Sequence, residues 1–420
     1  MRMVWFAALA CLLALPAGAQ TVVTIACGSV GIEAALCREG SEAWARQSGN
    51  RVELVSTPGG STERLALFQQ LLAARSADID VFQVDVVWPG ILARHLLDLT
   101  SHVDPAVLEA QFPENVRNNT VQGRLVAMPW FTNAGVLFYR RDLLEKYDRP
   151  VPETWAEMAA TARFIMDAER REGQDRFWGY VFQGRAYEGL TVNALEWLDS
   201  HGAGTIVAPD GTVAVNTPEA AAVLSEAAGW VGTITPPGVL NYAEEEARGV
   251  FQSGNAVFMR NWPYAWTLAN AADSPVRGKT AVSRLPSGGE GGRHSATLGG
   301  EQLGVSRYSL HPEAAIALVT YLTSPAEQKR RAIAGAFNPT YPALYRDPEV
   351  LAANPFFGQL ASTLESAVAR PSGVTRGRYN QVSAEFWNAA HDVLSRRRPA
   401  AQALGRLDRT LQRLARGGRW

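Results

Sequence analysis

Residues 258–266, Phe258-Met259-Arg260-Asn261-Trp262-Pro263-Tyr264-Ala265-Trp266, place three aromatic rings on alternate positions of a segment that opens like a buried strand. Pro263 has a fixed φ and no amide hydrogen, so the segment cannot run on as a regular helix or central strand. Rings held on such a stiffened turn stand as flat, weakly polar faces, and the C–H side of a sugar ring packs against a face of that kind. Trp262, Tyr264 and Trp266 serve equally as core aromatics, which bury readily. Three charged residues could supply the polar half of a site. Asp85 ends an otherwise apolar strand, where it either faces a crevice or caps the next helix. Glu33 lies early in a helix, either as a first-turn acid favoured by the helix dipole or as a cleft acceptor. Arg64 also lies in a first turn, where the dipole disfavours a cation, so it either contacts a ligand or carboxylate or faces solvent.

The elements that must position these side chains follow from hydrophobic periodicity. Residues 21–26 (TVVTIA) form a β-branched strand, Cys27-Gly28-Ser29-Val30-Gly31 a small-residue loop, and 32–48 a helix. This opening implies a parallel sheet whose loops gather at the carboxyl ends of the strands. A strand at 51–56, a helix at 62–75 with Leu65, Phe68, Leu71 and Leu72 on one face, and a strand at 78–85 come next. Residues 126–140 read as two strand-like halves broken by Pro129, crossing into a second lobe, with Asn133 just past the crossing. Helices are expected near 155–171, 187–200, 218–232 and 312–322, strands near 177–183, 281–286 and 297–306, and a mostly helical end from 328. Of Glu244, Glu245 and Glu246, spaced about 100° apart on a helix, at most two can face a cleft. The glycine-rich loop 287–292 lacks the Lys-Ser/Thr ending of a phosphate loop and reads as a surface hairpin; residues 28–31 lack dinucleotide-fingerprint spacing.

Composition bounds the possibilities. A chain of 420 residues, 47% hydrophobic and 19% charged, is globular and long enough for two α/β lobes. A formal charge of −1 gives no general attraction to nucleic acid or anionic membrane, and the arginines from Arg396 to Arg419 read as the solvated face of a terminal helix. The first nineteen residues carry Arg2, an apolar core from Val4 to Leu15, Pro16, and Ala17-Gly18-Ala19 before Gln20, the pattern of a cleaved signal peptide. No segment approaches the length of a membrane span. An exported chain beginning near Gln20 retains Cys27 and Cys37, either joined as a disulfide pinning the first strand to the first helix or left as buried thiols. No His or further Cys lies near enough to complete a zinc site, and neither metal nor cofactor is expected.

The signal peptide, the strand-loop-helix start, 80–85 (DVFQVD), 129–140 (PWFTNAGVLFYR), 251–264 (FQSGNAVFMRNWPY), Leu298-Gly299-Gly300 and 324–328 (SPAEQ) together resemble the extracellular solute-binding proteins of sugar ABC importers, nearest their trehalose/maltose-binding branch. The resemblance spans nearly all of the mature chain. It implies an α/β, two-lobed Venus-flytrap fold with a multi-stranded hinge: residues 20–128 and 281–335 in the N-terminal lobe, 129–280 and 336–420 in the C-terminal lobe. It implies saccharide ligands at Glu33, Arg64, Asp85, Asn133, Trp262, Tyr264, Gly300 and Arg370, with the rings of Trp262 and Tyr264 stacking on the sugar. It further implies a periplasmic monomer that docks transiently on membrane permease subunits and carries out no catalysis. Asn133 stands where relatives carry Asp, and Glu301 where some place Trp. The competing reading is a secreted glycoside hydrolase, with Asp85 and Glu33 or Glu245 as its acid pair; Arg64 and Arg370 beside these acids would keep them ionised. An anion-binding relative on the same scaffold lacks the expected tyrosine pair.

Overall fold

A computed structural model describes residues 20–28, 30–365, 367–416 and 420. Residues 1–19, where a signal peptide is expected, and Ser29 and Arg419 lie outside the described residues. Strands β1 (Val22–Ala26), β2 (Arg51–Val55), β3 (Val81–Asp85), the two-residue pair β4 (Thr120–Val121) and β5 (Arg124–Leu125), β6 (Met128–Ala134), β7 (Val136–Arg140), β8 (Trp178–Val181), β9 (Ala256–Asn261), β10 (Thr280–Arg284) and β11 (Leu298–Val305) follow in order. The first lobe is a five-stranded sheet in the order β2-β1-β3-β11-β6, and the second a four-stranded sheet in the order β10-β7-β9-β8. β1 pairs in parallel with β2 and β3, while β11 runs antiparallel to both neighbours. The helices Glu33–Ser48 and Ser61–Ala73 return the chain between the parallel strands, so Glu33, Arg64 and Asp85 all fall at the carboxyl edge of the sheet.

The chain changes lobes at Gly135, between β6 and β7, again through residues 285–297, between β10 and β11, and a third time between Thr340, still bonded to Phe112 of the first lobe, and the helix Tyr379–Leu394 of the second. Pro129 does not break the first crossing, as the sequence suggested. It sits inside β6, which is tolerable because β6 is an edge strand. Residues 129–134 therefore pair within the first sheet, and 280–284 within the second, which places the first two crossings a few residues from the expected boundaries, while residues 338–340, expected in the C-terminal lobe, bond to Thr132 and Phe112 of the first. The glycine-rich loop is not a surface hairpin either, because its flanking strands belong to different sheets. Ser287 N donates to Glu153 O at 2.8 Å and Gly288 N to Ser200 O at 3.0 Å, which pins the crossing to the ends of two second-lobe helices.

Both lobes pack around aromatic-rich cores, and one buried cluster runs from β1, β6 and β11 of the first sheet to β7, β8 and β9 of the second. In the second, Trp197 meets Trp230 edge-on at 5.6 Å, and the helices Tyr379–Leu394 and Ala400–Ala415 close over the pair's neighbours. The last helix buries Ala403, Leu404, Leu407 and Leu411 and exposes Arg406, Arg409 and Arg413, the solvated face its pattern implied. At the start of the chain, Cys27 after β1 and Cys37 in the first helix are joined as a disulfide with Cα atoms 6.6 Å apart.

Candidate ligand-binding cleft

The carboxyl edge of the first sheet faces the helix Glu188–Ser200 and the turn after β9, and the eight residues expected at a site all line one cavity between them. Gly28 N donates to Gln83 Oε1 at 2.5 Å, and Gln83 Nε2 donates to Glu33 Oε1 at 2.7 Å, so β3 fixes both the loop after β1 and the Glu33 carboxylate. Arg64 is 2% exposed, and its Nη2 donates to Glu301 Oε1 at 2.5 Å. Asp85 does not cap the following helix, Pro89–Leu92, whose N-cap position is Trp88; its Oδ1 accepts from Val87 N at 3.1 Å in the intervening turn and from Arg370 Nη2 at 3.3 Å across the cleft. Arg370 Nη1 donates to Glu188 Oε1 at 2.8 Å, so one guanidinium holds an acid from each lobe. Glu188 also accepts from Ser383 at 2.7 Å and from the Tyr379 hydroxyl.

The aromatic wall rests on the second sheet. β9 ends at Asn261, whose Oδ1 accepts from Trp262 N at 2.8 Å, and the next helix begins at Ala265 beyond Pro263. The Arg260 guanidinium lies 4.1 Å from the Trp262 ring and is itself locked in a buried pair with Glu196, leaving Trp262 a single free face. Tyr264 donates to Glu245 Oε1 at 2.6 Å; Glu246 caps its own helix at Ala243 N, and only Glu244 of the three acids lines the cavity. Trp266 turns away, donating Nε1 to Ala353 O at 3.3 Å and packing on Phe356 at 5.3 Å, so the core reading holds for this ring. A Cβ on Gly299 would lie 2.9 Å from Trp262 Cζ3, so the indole occupies room that only a glycine leaves. Gly300 adopts φ +126°, which an L side chain rarely enters.

Residues outside the expected set complete the wall. Phe131 and Phe337 meet edge-on at 4.9 Å, and behind them Arg331, 1% exposed, lies 3.7 Å from the Trp130 ring and 4.6 Å from Phe337. Glu188 gave no sequence signal beyond opening a helix, and Phe337 lies in a loop whose path depends on tertiary packing. Glu301 stood out in the sequence only as a departure from its relatives; its place beside Asp85 follows from the β3/β11 register.

Burial alone would lower the pKa of Arg64, but Glu301, Glu33 and Asp85 more than offset it and hold the group up. Arg370 is likewise held up, against burial, by Asp85, Tyr379 and Glu188. Burial pushes the Glu301 carboxyl up to about 8, Arg64 opposing and Asp85 and Glu33 reinforcing the shift, and it raises Glu188 despite Arg370. Tyr264 is pushed well up by burial and Glu245, so its hydroxyl stays a donor. The cavity measures about 90 Å³, room for only a few waters. A wider groove of about 1100 Å³ lies one residue away along the chain, past Thr132, Leu298 and Ala369; its charged pair, Arg117–Glu114, is exposed, and the groove has no indole face.

Two lobes on a strand hinge, with a polar and aromatic cavity between them, define a two-lobed solute-binding protein. The chain belongs to the bacterial extracellular solute-binding protein family, whose profile matches residues 33–329. A probable ABC transporter-binding protein of Deinococcus radiodurans is 50% identical over 393 residues, 93% of either chain. The structure of T. maritima MalE3 with maltose bound is 40% identical, with a TM-score of 0.89 over 94% of this chain and 100% of that one. A Thermotoga lettingae solute-binding protein with α-D-tagatose shares the fold at a TM-score of 0.84 and 21% identity, covering 94% of this chain and 100% of its own. Members of this family are binding proteins, not enzymes, which removes the glycoside hydrolase reading.

Proposed function

We propose that this protein binds a saccharide, a disaccharide of the maltose or trehalose type, between its lobes and delivers it to the permease of an ABC importer. The observation that carries this reading is the meeting of a one-faced indole, Trp262, with the Asp85–Arg370 and Arg64–Glu301 pairs on one interlobe cavity. Indole and phenol pack on the apolar flanks of the sugar, while carboxylates and guanidinium groups bind adjacent hydroxyls through charge-assisted hydrogen bonds. Arg370 already spans the lobes, and the surface pair Arg185–Glu63 spans them again at the rim. A sugar touching both lobes shifts the population toward the closed form in proportion to its preference for that form. The maltose-bound relative at 40% identity supports the disaccharide class. We further propose export to the periplasm with signal removal near Ala19, and action as a monomer.

A thermal-shift screen of the mature protein against maltose, trehalose, sucrose, palatinose and monosaccharides tests the reading. A disaccharide is expected to raise Tm most, because bound ligand stabilises the folded state by mass action. A screen in which no saccharide moves Tm, confirmed by calorimetry, overturns it.

A further inference from the structure

Behind the aromatic platform, Arg260 on β9 and Glu196 on the helix Glu188–Ser200 form an ion pair whose side chains are 1% and 0% exposed. Two of its bonds run side by side, Nε to Oε2 at 2.8 Å and Nη2 to Oε1 at 2.5 Å, while Nη1 donates to Gln183 Oε1 at 3.2 Å. These partners fix the plane of the guanidinium, which lies 4.1 Å from the centre of the Trp262 ring. The same pair touches the hinge. Glu196 Oε1 also accepts from Thr297 N at 3.0 Å, at the end of the second crossing. A Cβ added at Gly135, the first crossing, would collide with Glu196 Oε1 and Arg260 Nη2, so the backbone there runs directly against the pair. The third crossing joins them through Val368, which pairs with Thr297 as a parallel bridge. Apolar side chains often replace a buried ion pair without loss of stability, so folding alone is a poor reason for one at this junction.

We propose, resting on the saccharide reading, that Arg260 and Glu196 are a positioning pair that couples the sugar platform to the hinge. Neither side chain lines the cavity, so neither acts by touching the solute. Arg260 sets the tilt of the indole, and Glu196 sets the path of the backbone at Gly135 and Thr297, about which the lobes turn. A shift of the carboxylate that accompanies lobe movement carries the guanidinium with it, and so moves the face on which a ring is seated. Seating a ring on Trp262 in turn favours the carboxylate position of the closed arrangement, since coupling between two sites acts equally in both directions. The hinge is the element with two arrangements, and the platform biases it.

The test is calorimetry of maltose, or of whichever saccharide of the screen binds tighter, in a mutant cycle with Trp262→Ala. The pair is removed from within by combining Arg260→Met with Glu196→Met, which leaves no buried charge unpaired, and is disturbed from the hinge side by Gly135→Ala. Circular dichroism and Tm check folding. With Trp262 in place, each change is expected to weaken binding about tenfold, within the range of coupling between sites. In the Trp262→Ala background each should alter Kd by less than about twofold, because the platform through which the pair acts is gone. A pair that serves folding alone gives the same factor in both backgrounds. That result, or an unchanged Kd in folded variants that keep Trp262, overturns the proposal while the saccharide reading stands. Where the Met pair does not fold, Gly135→Ala decides by itself. If the wild type binds no saccharide of the screen, the saccharide reading falls and the proposal with it.

Discussion

Trp262 and Trp266 differ in the sequence only by four positions, yet their surroundings assign them opposite work. Trp262 has one face against Arg260 and the other toward the cavity, whereas Trp266 is tied to Ala353 and Phe356. Trp262→Ala is expected to weaken disaccharide binding by about 2 kcal/mol, roughly 30-fold, because a large buried stacking surface is lost. Trp266→Ala should lower Tm while leaving Kd within about twofold, since core truncation costs stability rather than ligand contacts. Calorimetry and melting curves on the two variants separate these outcomes. Asp85→Ala should also weaken binding by about 2 kcal/mol, because it leaves Arg370 without one of its two carboxylates. At this scale the sequence was informative where a residue broke a local rule: an acid ending an apolar strand, a cation in a helix's first turn, rings around a proline. Glu188 and Phe337 break no such rule, and only the packing of distant segments brings them to the cavity.

At the scale of elements, strands and helices were legible from their periodicity, and the points where the chain changes sheet were not. Pro129 signalled a break that an edge strand absorbs, and the loop 287–292 resembled a hairpin because pairing with different sheets leaves no local trace. The β11 glycines carry the next prediction. Gly299→Ala places a Cβ where Trp262 Cζ3 lies at 2.9 Å, so the indole must shift; saccharide affinity should fall about tenfold while the far-ultraviolet spectrum is unchanged. The disulfide between β1 and the first helix supplies another. The mature protein, denatured without reductant, should show no free thiol, and reduction should lower stability by about 2–3 kcal/mol, the loop-entropy effect of so short a span. Two titratable thiols before reduction would count against the bond.

The whole molecule responds to solution conditions through the groups its lobes enclose. Glu301 has a folded pKa raised by burial above its unfolded value, with Asp85 on β3 and Glu33 on the first helix adding to the shift and Arg64 and Gln83 opposing it. A raised acid contributes stability that is full below its unfolded pKa, near 4.5, and is lost as pH rises through about 8. The Tm of the ligand-free protein should therefore decline more steeply between pH 6 and 8.5 in the wild type than in Glu301→Gln. Solutes that bridge the lobes act in the opposite sense: at about 100 times Kd, a ligand adds about 2.7 kcal/mol. Small-angle scattering should then show a smaller radius of gyration with the ligand than without it.

The guanidinium behind Trp262 has a stereochemical consequence. With Arg260 occupying one side of the indole, a pyranose can lie only on the other, and it must do so with a side free of projecting oxygens. An axial hydroxyl on the side turned to the indole removes the flat contact there, so this pocket should rank ring configurations by that side before any hydrogen bond is formed.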